Sequence, residues 1–439
     1  MNGLFVSVAL ASVLLAAATG RMEDLTGAIL SSARNAVDLA IGLVGVMAFF
    51  LGLMRVAENG GLMATIARAV RPVMRRLFPD VPDDSPAISA MILNIAANMM
   101  GLGNAATPFG IKAIQELDKL NSRPGTATNA MALFLAINTA GLAVLPSGMI
   151  GVRAALGSED AAGIFFPTWF ASGSATIVGV TAALLLSRLG RYRRTAPPSI
   201  EAPTTATTAE PEPTEVPAGA PAGPEAAPEP LAGRLWIARA FWIALLALAA
   251  RDFLTRLGAE APVDAFRGMT SFWMLPALVS ALVLYGWVRG VRVYDSLVEG
   301  AKQGFDVALR IIPFLVAILV AIGMFRAAGG IDALVAALGP ITTLIGMPAE
   351  VLPVAVLRPL SGSGSLGVAA EIIQTHGPDS VIGYLASTVY GSTETTFYTL
   401  AVYFGAVGIR NTRHTLPACL SADVAGILAA TFIVNLLFG

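Results

Sequence analysis

The sequence has little charge, one cysteine and two histidines. Charged residues make up 13% of its 439 residues, the formal net charge is −1 and the mean hydropathy is +0.71. A soluble protein of this length covers its surface with more charge, so the composition excludes a soluble globular chain. The near-zero net charge gives no field that would attract nucleic acid. The scarcity of cysteine and histidine excludes an intrachain disulfide and disfavours a haem or clustered metal site, so we expect no cofactor and no metal.

Long apolar runs take the place of charge. A membrane-spanning helix needs about 20 mostly apolar residues, and such stretches recur along the chain. The first could be a signal peptide, but no Lys or Arg precedes Arg21, so we interpret it as a membrane helix. The sequence predicts an all-α, polytopic membrane protein with about nine transmembrane helices, at residues 4–19, 36–56, 126–151, 164–189, 235–257, 270–288, 307–326, 380–407 and 415–438.

Two further apolar stretches, residues 85–120 and 349–376, are interrupted near their middles by Gly, Asn, Ser and Pro. Each pattern fits two short helices that meet at a polar tip. Irregular backbone is tolerated at membrane depth only where it is buried in protein or lines a wet cavity. We therefore predict two re-entrant hairpins.

The chain divides at residues 195–233, which are rich in Pro, Ala, Thr and Glu and have too few large apolar residues to form a core. This composition predicts a disordered linker between residues 1–194 and 234–439. The same elements recur on both sides of it: a span, a hairpin, a span broken by polar residues, and a final span. An extra span at residues 235–257 turns the second copy over, so the sequence predicts two inverted repeats, a plan common among secondary transporters.

Basic residues cluster in loops that this arrangement places on one side of the membrane. By the positive-inside rule that side is cytoplasmic. The N-terminus and the linker are then cytoplasmic, the first hairpin enters from the cytoplasm and the second enters from outside. The basic residues concerned are Arg68, Arg71, Arg75, Arg76, Arg188, Arg191, Arg193, Arg194, Arg289, Arg292, Lys302, Arg410 and Arg413.

The polar interruptions carry a family resemblance. Two motifs of the first half resemble bacterial spore maturation protein A: Asn98-Met-Met-Gly-Leu-Gly-Asn-Ala-Ala-Thr-Pro108 and Lys112-Ala-Ile-Gln-Glu-Leu117. Four motifs of the second half resemble spore maturation protein B: Leu357-Arg-Pro-Leu-Ser-Gly-Ser-Gly364, Gly377-Pro-Asp-Ser380, Gly391-Ser-Thr-Glu-Thr-Thr-Phe-Tyr398 and Tyr403-Phe-Gly-Ala-Val-Gly-Ile-Arg410. The chain therefore resembles a fusion of the two.

This resemblance implies membership of the superfamily that carries the nucleoside-recognition or Gate domain. Concentrative nucleoside transporters and the membrane part of ferrous-iron transporters share that domain. The resemblance implies hairpin-containing inverted repeats, a transport-like role and a place in the bacterial inner (cytoplasmic) membrane. The sporulation role need not transfer, since such fusions resemble those of bacteria that do not sporulate. The nucleoside label is weak evidence for the substrate.

Three ionisable residues are candidates for function. Glu394 lies in the middle of an apolar span, where a charge costs at least about 2.5 kcal/mol, so it should pair, protonate or face water. It is predicted to bind substrate or a coupling ion, or else to form a structural salt bridge with Arg358. Arg358 could instead hold a carboxylate or phosphate of the substrate. Asp423 aligns with Thr176 of the first half and is interpreted as an ion-coupling carboxylate or a structural hydrogen-bond partner.

Neutral polar side chains accompany the predicted hairpin tips and broken spans. Amides and hydroxyls can bind sugars, amides or nucleobases, or they can hydrogen-bond one helix to another. The Gly-Ser run at Ser361 resembles an anion-binding nest, which a glycine-rich turn explains at least as well. Beside Arg358 and Glu394, the candidate substrate-binding residues are Asn94, Asn98, Asn104, Thr107, Asn138, Ser361, Ser363, Ser392, Thr393 and Thr395.

Together these features predict a secondary-transporter-like protein that moves a small polar solute, nucleoside-like or bearing an amide or carboxylate, coupled to H⁺ or Na⁺. Its expected partners are the solute, the coupling ion and the lipid bilayer, and Gly-rich faces permit a homo-oligomer. The alternatives are a membrane scaffold for envelope or cell-wall enzymes and a flippase for a lipid-linked substrate. An enzyme is the least favoured class, since no nucleophile–base pair or metal cluster stands out in the sequence.

Overall fold

The computed structural model of the protein describes residues 2–82, 85–101, 103–142, 144–197 and 228–439. The side chains of residues 2–4, 103–105, 307–308 and 341 lie outside this description. Most of the predicted linker also lies outside this description. We refer to residues 2–197 and 228–439 as the N-terminal and C-terminal halves. The described residues are mainly helical, and the β-pairing among them is a single bridge between Thr126 and Asn411.

The N-terminal half contains both long and short helices. In chain order the described ones are α1 (Asn2–Thr19), α2 (Met22–Asn59), α3 (Leu62–Leu77), α4 (Pro86–Met99), α5 (Gly103–Lys119), α6 (Asn129–Ala140), α7 (Ser147–Ala155), α8 (Phe165–Arg188) and α9 (Gly190–Arg193).

The C-terminal half begins with one additional long helix and also contains both long and short helices. Its described helices are α10 (Ala232–Leu257), α11 (Pro262–Phe272), α12 (Met274–Val288), α13 (Val293–Ala327), α14 (Gly330–Thr342), α15 (Leu352–Leu357), α16 (Gly362–His376), α17 (Val381–Ser392), α18 (Thr396–Gly405) and α19 (Thr415–Phe438). Two 3₁₀ turns, Thr343–Ile345 and Ala349–Val351, connect α14 to α15.

Five helical stretches among the described residues are long and apolar enough to cross a membrane. They are Met22–Asn59, Phe165–Arg188, Pro262–Val288, Val293–Ala327 and Thr415–Phe438. Four of them contain a predicted span, Phe165–Arg188 covers all but the two end residues of another, and the membrane-protein class is confirmed. The other four predicted spans differ from a simple crossing helix. That of α1 is short, that of α10 carries several charges, and the remaining two are each divided into two helices.

The two divided spans break at the polar residues that interrupt their sequences. The α6 helix starts at Thr128, whose hydroxyl accepts a backbone hydrogen bond at 3.1 Å, and it ends at Gly141, where φ is +61°. The α17 helix starts at Ser380, whose hydroxyl accepts a similar bond at 3.0 Å, and Thr393 beyond its end is extended. Each helix has 12 residues, so each predicted span begins as a half-length helix, which non-helical chain separates from a second short helix.

The two stretches predicted as hairpins form the packed helix pairs α4–α5 and α15–α16. In each half, the chain that follows the broken helix hydrogen-bonds to the end of the first hairpin helix. Val144 N donates to Met99 O at 2.8 Å in the N-terminal half, and Phe397 N donates to Pro359 O at 2.9 Å in the C-terminal half. The hairpin turns therefore satisfy backbone groups that the breaks in α6–α7 and α17–α18 release.

Two close helix pairs join the halves, and the first is α2 with α13. A Cβ atom added at Gly300 would lie 2.6 Å from Leu51 O, and one at Gly304 would lie 2.5 Å from the Cα of Ala48. The spacing of Gly300 and Gly304 puts both on one face of α13. Small residues at four-residue spacing let membrane helices approach closely, because van der Waals packing then replaces the missing hydrophobic drive.

The second pair is α8 with α19, and its contacts are reciprocal. A Cβ atom at Gly179 would lie 3.0 Å from the Cβ of Ala422, and one at Gly426 would lie 3.3 Å from the Cβ of Ala175. The sequence alignment of the halves matches Gly179 with Gly426 and places Ala175 opposite Ala422. Equivalent residues therefore make equivalent contacts across this crossing.

A buried arginine of the N-terminal half holds the start of α17. Arg153, at the end of α7, donates to Pro378 O at 2.5 Å and to Asp160 O at 3.0 Å. It also pairs with Asp379 at 2.9 Å, and its guanidinium lies 4.1 Å from the centre of the Tyr384 ring. We call this arrangement the Arg153 clamp.

An arginine of the C-terminal half holds the start of α6 in the same way. Arg413 donates to Ala127 O and to Asn129 Oδ1, both at 3.0 Å, and to Tyr192 O at 2.7 Å. The neighbouring His414 is buried, and burial together with the Arg413 charge lowers the pKa of its imidazole to about 4. Its ring is thus neutral at pH 7. We call this arrangement the Arg413 clamp.

Candidate functional site

Arg358 lies at the centre of the predicted site. It follows α15, is buried, and donates hydrogen bonds to Thr393 O and, at 3.4 Å, to Thr395 Oγ1. Its guanidinium lies 3.3 Å from Glu394 Oε2 and 4.6 Å from the centre of the Tyr390 ring. The salt bridge to Glu394 that the sequence analysis considered is therefore present. Arg358 therefore donates hydrogen bonds to the non-helical segment 393–395, between α17 and α18.

Glu394 differs from Arg358 in its exposure. Its side chain is 53% exposed, whereas that of Arg358 is 5% exposed. An ion pair with one open partner gains little net energy from Coulomb attraction. The arrangement instead leaves carboxylate oxygen available to a ligand while the guanidinium holds the backbone behind it.

Asp423 projects from α19 into the same region. It is 2% exposed, and its Oδ2 accepts a hydrogen bond from Thr396 Oγ1 at 2.7 Å. Its Oδ1 forms no hydrogen bond of normal length among the described residues, and the Thr393 side chain lies close to the carboxylate. A buried carboxylate with an unsatisfied oxygen is costly unless a proton or a cation compensates it. The adjacent residues Thr395 and Thr396 contact Arg358 and Asp423, respectively, so one short segment joins the two groups.

The predicted amides form a second polar group in the N-terminal half. Asn94 Nδ2 donates to Ala106 O at 2.7 Å and to the Tyr403 hydroxyl at 3.2 Å. Asn98 Nδ2 donates to Asn138 Oδ1 at 3.0 Å. These bonds link both hairpin helices, α6 and, through Tyr403, the C-terminal half. Part of the amide hydrogen-bonding capacity thus serves helix association, as the structural interpretation proposed.

The two polar groups meet where the broken helices end. Glu394 N donates to Thr139 O at 2.7 Å. A Cβ atom added at Gly141 would lie 2.9 Å from both Cγ and N of Glu394. The amides of the first half and the ionisable residues of the second half therefore occupy adjoining positions, and Gly141 provides the close approach.

Substitution of Gly141 by alanine is expected to destabilise this contact. Its φ of +61° disfavours any Cβ by roughly 1–2 kcal/mol, and the added atom would also overlap Glu394. Thermal unfolding in detergent should show a lower midpoint for Gly141→Ala. Gly148→Ala is the matched control, because a Cβ at Gly148 meets no atom within 4 Å. Equal midpoints for the two variants would contradict the contact.

The remaining candidates contribute unequally. The hydroxyl of Ser361 caps α16 by accepting a backbone hydrogen bond at 3.0 Å, which supports the turn interpretation. Ser392 is buried and bonds its own helix, and Ser363 is exposed. Thr107 is half-buried on α5, and the side chain of Asn104 lies outside the described residues.

Three residues outside the predicted set complete the site. Tyr390 lies against the Arg358 guanidinium, Thr396 bonds Asp423, and Tyr403 bonds Asn94. All three lie within or next to the recognised motifs of the second half. Their polar atoms could have been flagged from those motifs, but their partners lie on other helices and were not predictable from spacing.

Both halves of the chain are similar to known proteins. A family model described as Gate, nucleoside recognition, matches residues 40–156 and 308–410. Spore maturation protein B of Bacillus subtilis (strain 168) is 48% identical over 169 residues, which are 38% of this chain and 95% of that protein. Spore maturation protein A of the same organism is 37% identical over 194 residues, 44% of this chain and 97% of that protein. The resemblance found in the motifs is confirmed.

A solved structure is also similar. The crystal structure of the Alcanivorax borkumensis YdaH transporter aligns with 98% of this chain and 97% of its own, with 15% sequence identity and a TM-score of 0.42.

Proposed function

The chain belongs to the Gate family of nucleoside-recognition proteins and combines regions related to spore maturation proteins A and B, and from this premise we propose that it is a secondary-transporter-like membrane protein. It moves a small polar solute and couples that movement to H⁺ or Na⁺. The solute binds where the broken helices α6 and α17 end, between the amide group and Arg358.

The observation that carries this proposal is the environment of Asp423. Its carboxylate is buried and bonds Thr396, the Thr393 side chain lies close by, and its second oxygen forms no hydrogen bond of normal length among the described residues. Stability alone does not require such a group, whereas a coupling site needs a carboxylate that gains a proton or a cation. The non-helical segment beside it, with Glu394 and Arg358, supplies groups that a polar solute can engage.

Reciprocal contacts between the halves support the same mechanism. The contacts of α8 with α19 are reciprocal, and each half clamps the start of the other half's broken helix through a buried arginine. If the halves are inverted, the Arg153 and Arg413 clamps lie on opposite faces of the membrane. One of them can then open while the other stays closed, as alternating access requires.

Contacts near the helix ends sort the loops consistently into two faces. On the face of the Arg153 clamp, Asn435 of α19 donates to Gly346 O at 2.7 Å. On the face of the Arg413 clamp, Arg55 at the end of α2 pairs with Glu299 at the start of α13, at 2.7 Å. The basic clusters lie on this second face, so we propose that it is the cytoplasmic face of a bacterial inner membrane. The N-terminus and the linker are then also cytoplasmic.

Uptake into proteoliposomes tests the proposal. Uridine, glutamine and aspartate serve as radiolabelled probes for the nucleoside, amide and carboxylate classes, under imposed proton and sodium gradients. We expect saturable uptake of at least one probe, a loss of gradient-driven accumulation in Asp423→Asn, and strongly reduced uptake in Glu394→Gln. Asp295→Asn, an exposed carboxylate of α13, should behave like the wild type.

Two results would overturn the proposal. Wild-type accumulation in both Asp423→Asn and Glu394→Gln would show that these carboxylates do not couple transport. The absence of gradient-driven uptake for every probe class, with the protein folded and inserted, would favour a scaffold for envelope or cell-wall enzymes. Movement of a fluorescent lipid-linked sugar between leaflets would instead identify a flippase.

A further inference from the structure

A second polar cavity lies away from the central site. It has a volume of about 370 Å³ and lies between the loop before α8, helix α11 and the start of α17. Its walls include Asp160, Asp264, Arg267, Ser271 and Asp379. Since α17 has 12 residues, its two ends are about 18 Å apart, and the central site is at the other end. Both halves contribute to the cavity.

Two residues that line this cavity each have a buried polar atom without a partner among the described residues. One is the Oγ of Ser271, whose residue is only 3% exposed. The other is Oδ1 of Asp160, whose Oδ2 accepts a hydrogen bond from the Tyr384 hydroxyl at 2.7 Å. A buried hydroxyl or carboxylate oxygen without a partner costs free energy, so such atoms call for a ligand or water.

The cavity also presents a cation without an anionic partner. The Arg267 guanidinium lies 4.5 Å from the centre of the Phe438 ring and 6.0 Å from that of Tyr384. Within the described residues it forms no hydrogen bond or ion pair. Stacking on aromatic rings fixes the direction of a guanidinium while leaving its N–H groups free for a carboxylate or phosphate.

Charges of both signs therefore line one open cavity. Asp160 and Asp264 can accept hydrogen bonds from an ammonium group, while Arg267 and the Ser271 hydroxyl can donate to an anionic group. A metal ion is a poor match, since the described residues contain no cluster of three or more His, Cys, Asp or Glu side chains suited to hold one. A simple anion would be repelled by the carboxylates, and a simple cation would be repelled by the Arg267 guanidinium.

We propose that this cavity binds a zwitterion, with its ammonium group at Asp160 and Asp264 and its phosphate or carboxylate at Arg267 and Ser271. The ligand is either a free solute or the headgroup of a phospholipid such as phosphatidylethanolamine. The ligand would adjoin the Arg153 clamp, because Arg153 donates to the backbone carbonyl of Asp160 and Tyr384 donates to its carboxylate. This site is separate from the proposed transport site and does not depend on it.

Binding measurements on the purified full chain test the site. O-phosphoethanolamine is titrated by calorimetry into protein in detergent, and native mass spectrometry measures retention of phosphatidylethanolamine against phosphatidylglycerol after extraction from nanodiscs. Saturable binding of O-phosphoethanolamine identifies a free zwitterion as sufficient, and selective retention of phosphatidylethanolamine alone identifies the lipid headgroup. Arg267→Gln should weaken either interaction at least about tenfold, because a charge-assisted hydrogen bond is lost. Ser271→Ala should weaken it by a smaller factor.

Arg239→Gln, an exposed arginine of α10, is the matched control and should bind like the wild type. The proposal is overturned if the wild type binds neither probe. Equal affinity of the wild type and Arg267→Gln would overturn it too. Equal retention of the two phospholipids, without calorimetric binding, contradicts it as well, because the acidic side chains would then select nothing.

Discussion

Replacing Arg358 with alanine is expected to reduce solute uptake strongly and to lower the stability of the protein. The change removes the charged donor to Thr393 O and leaves that carbonyl without its partner, which costs about 1.5–3 kcal/mol for a hydrogen bond to a charged group. It also frees Glu394 from its only salt bridge among the described residues. The non-helical segment would lose the geometry that joins the solute site to Asp423.

Two measurements separate these effects. Proteoliposome uptake should fall by at least about tenfold, in line with a loss of one charge-assisted contact, and the thermal midpoint in detergent should also fall. Arg358→Lys keeps the charge without the planar fork, so it should retain more stability than activity. Wild-type uptake by Arg358→Ala would exclude this arginine from the transport site.

Replacing Arg153 with alanine should have the largest effect on stability. Arg153 is fully buried. It donates to the backbone carbonyls of Pro378 and Asp160 and to the side chains of Ser158 and Asp379. Removing one partner of a buried, hydrogen-bonded ion pair typically costs about 3–5 kcal/mol, because the other groups stay behind without compensation. The start of α17 should then separate from the loop before α8.

The unfolding midpoint in detergent and hydrogen exchange at residues 377–383 measure this effect. Arg153→Ala should lower the midpoint strongly and increase exchange at those residues. Arg292→Ala is the control, because its side chain is 87% exposed and its pair with Asp295 spans 3.4 Å. A similar small change in both variants would show that the Arg153 clamp contributes no more than a surface pair.

Five of the nine predicted spans correspond to long apolar helices, because the apolar composition that marks a membrane helix is a local property of the sequence. Long apolar runs marked the five long stretches, and interruptions by Gly, Asn and Ser marked the breaks after α6 and α17. The α3 and α14 helices were not predicted as separate elements. Neither is a long apolar run, since α3 contains four arginines and α14 is only 13 residues long.

The candidate site was predictable in its charged part and less so in its neutral part. Glu394, Arg358 and Asp423 were identifiable because a charge in an apolar span demands compensation. Spacing alone could not show that Tyr403 bonds Asn94, since 309 residues separate them. Spacing also could not show that Arg413, which the sequence suggested was an ordinary loop charge, holds the start of α6 in the other half. Such contacts depend on how helices cross, which local sequence does not encode.

The clamps also constrain assembly. Arg153 belongs to the N-terminal half and holds a helix of the C-terminal half, while Arg413 does the reverse. Neither half alone contains both members of either contact, and the α2–α13 and α8–α19 pairs likewise need one helix from each. A single polypeptide therefore fixes the stoichiometry of the halves at one to one and raises their effective concentration for each other. Cleavage between residues 198 and 227 should leave two fragments that remain associated.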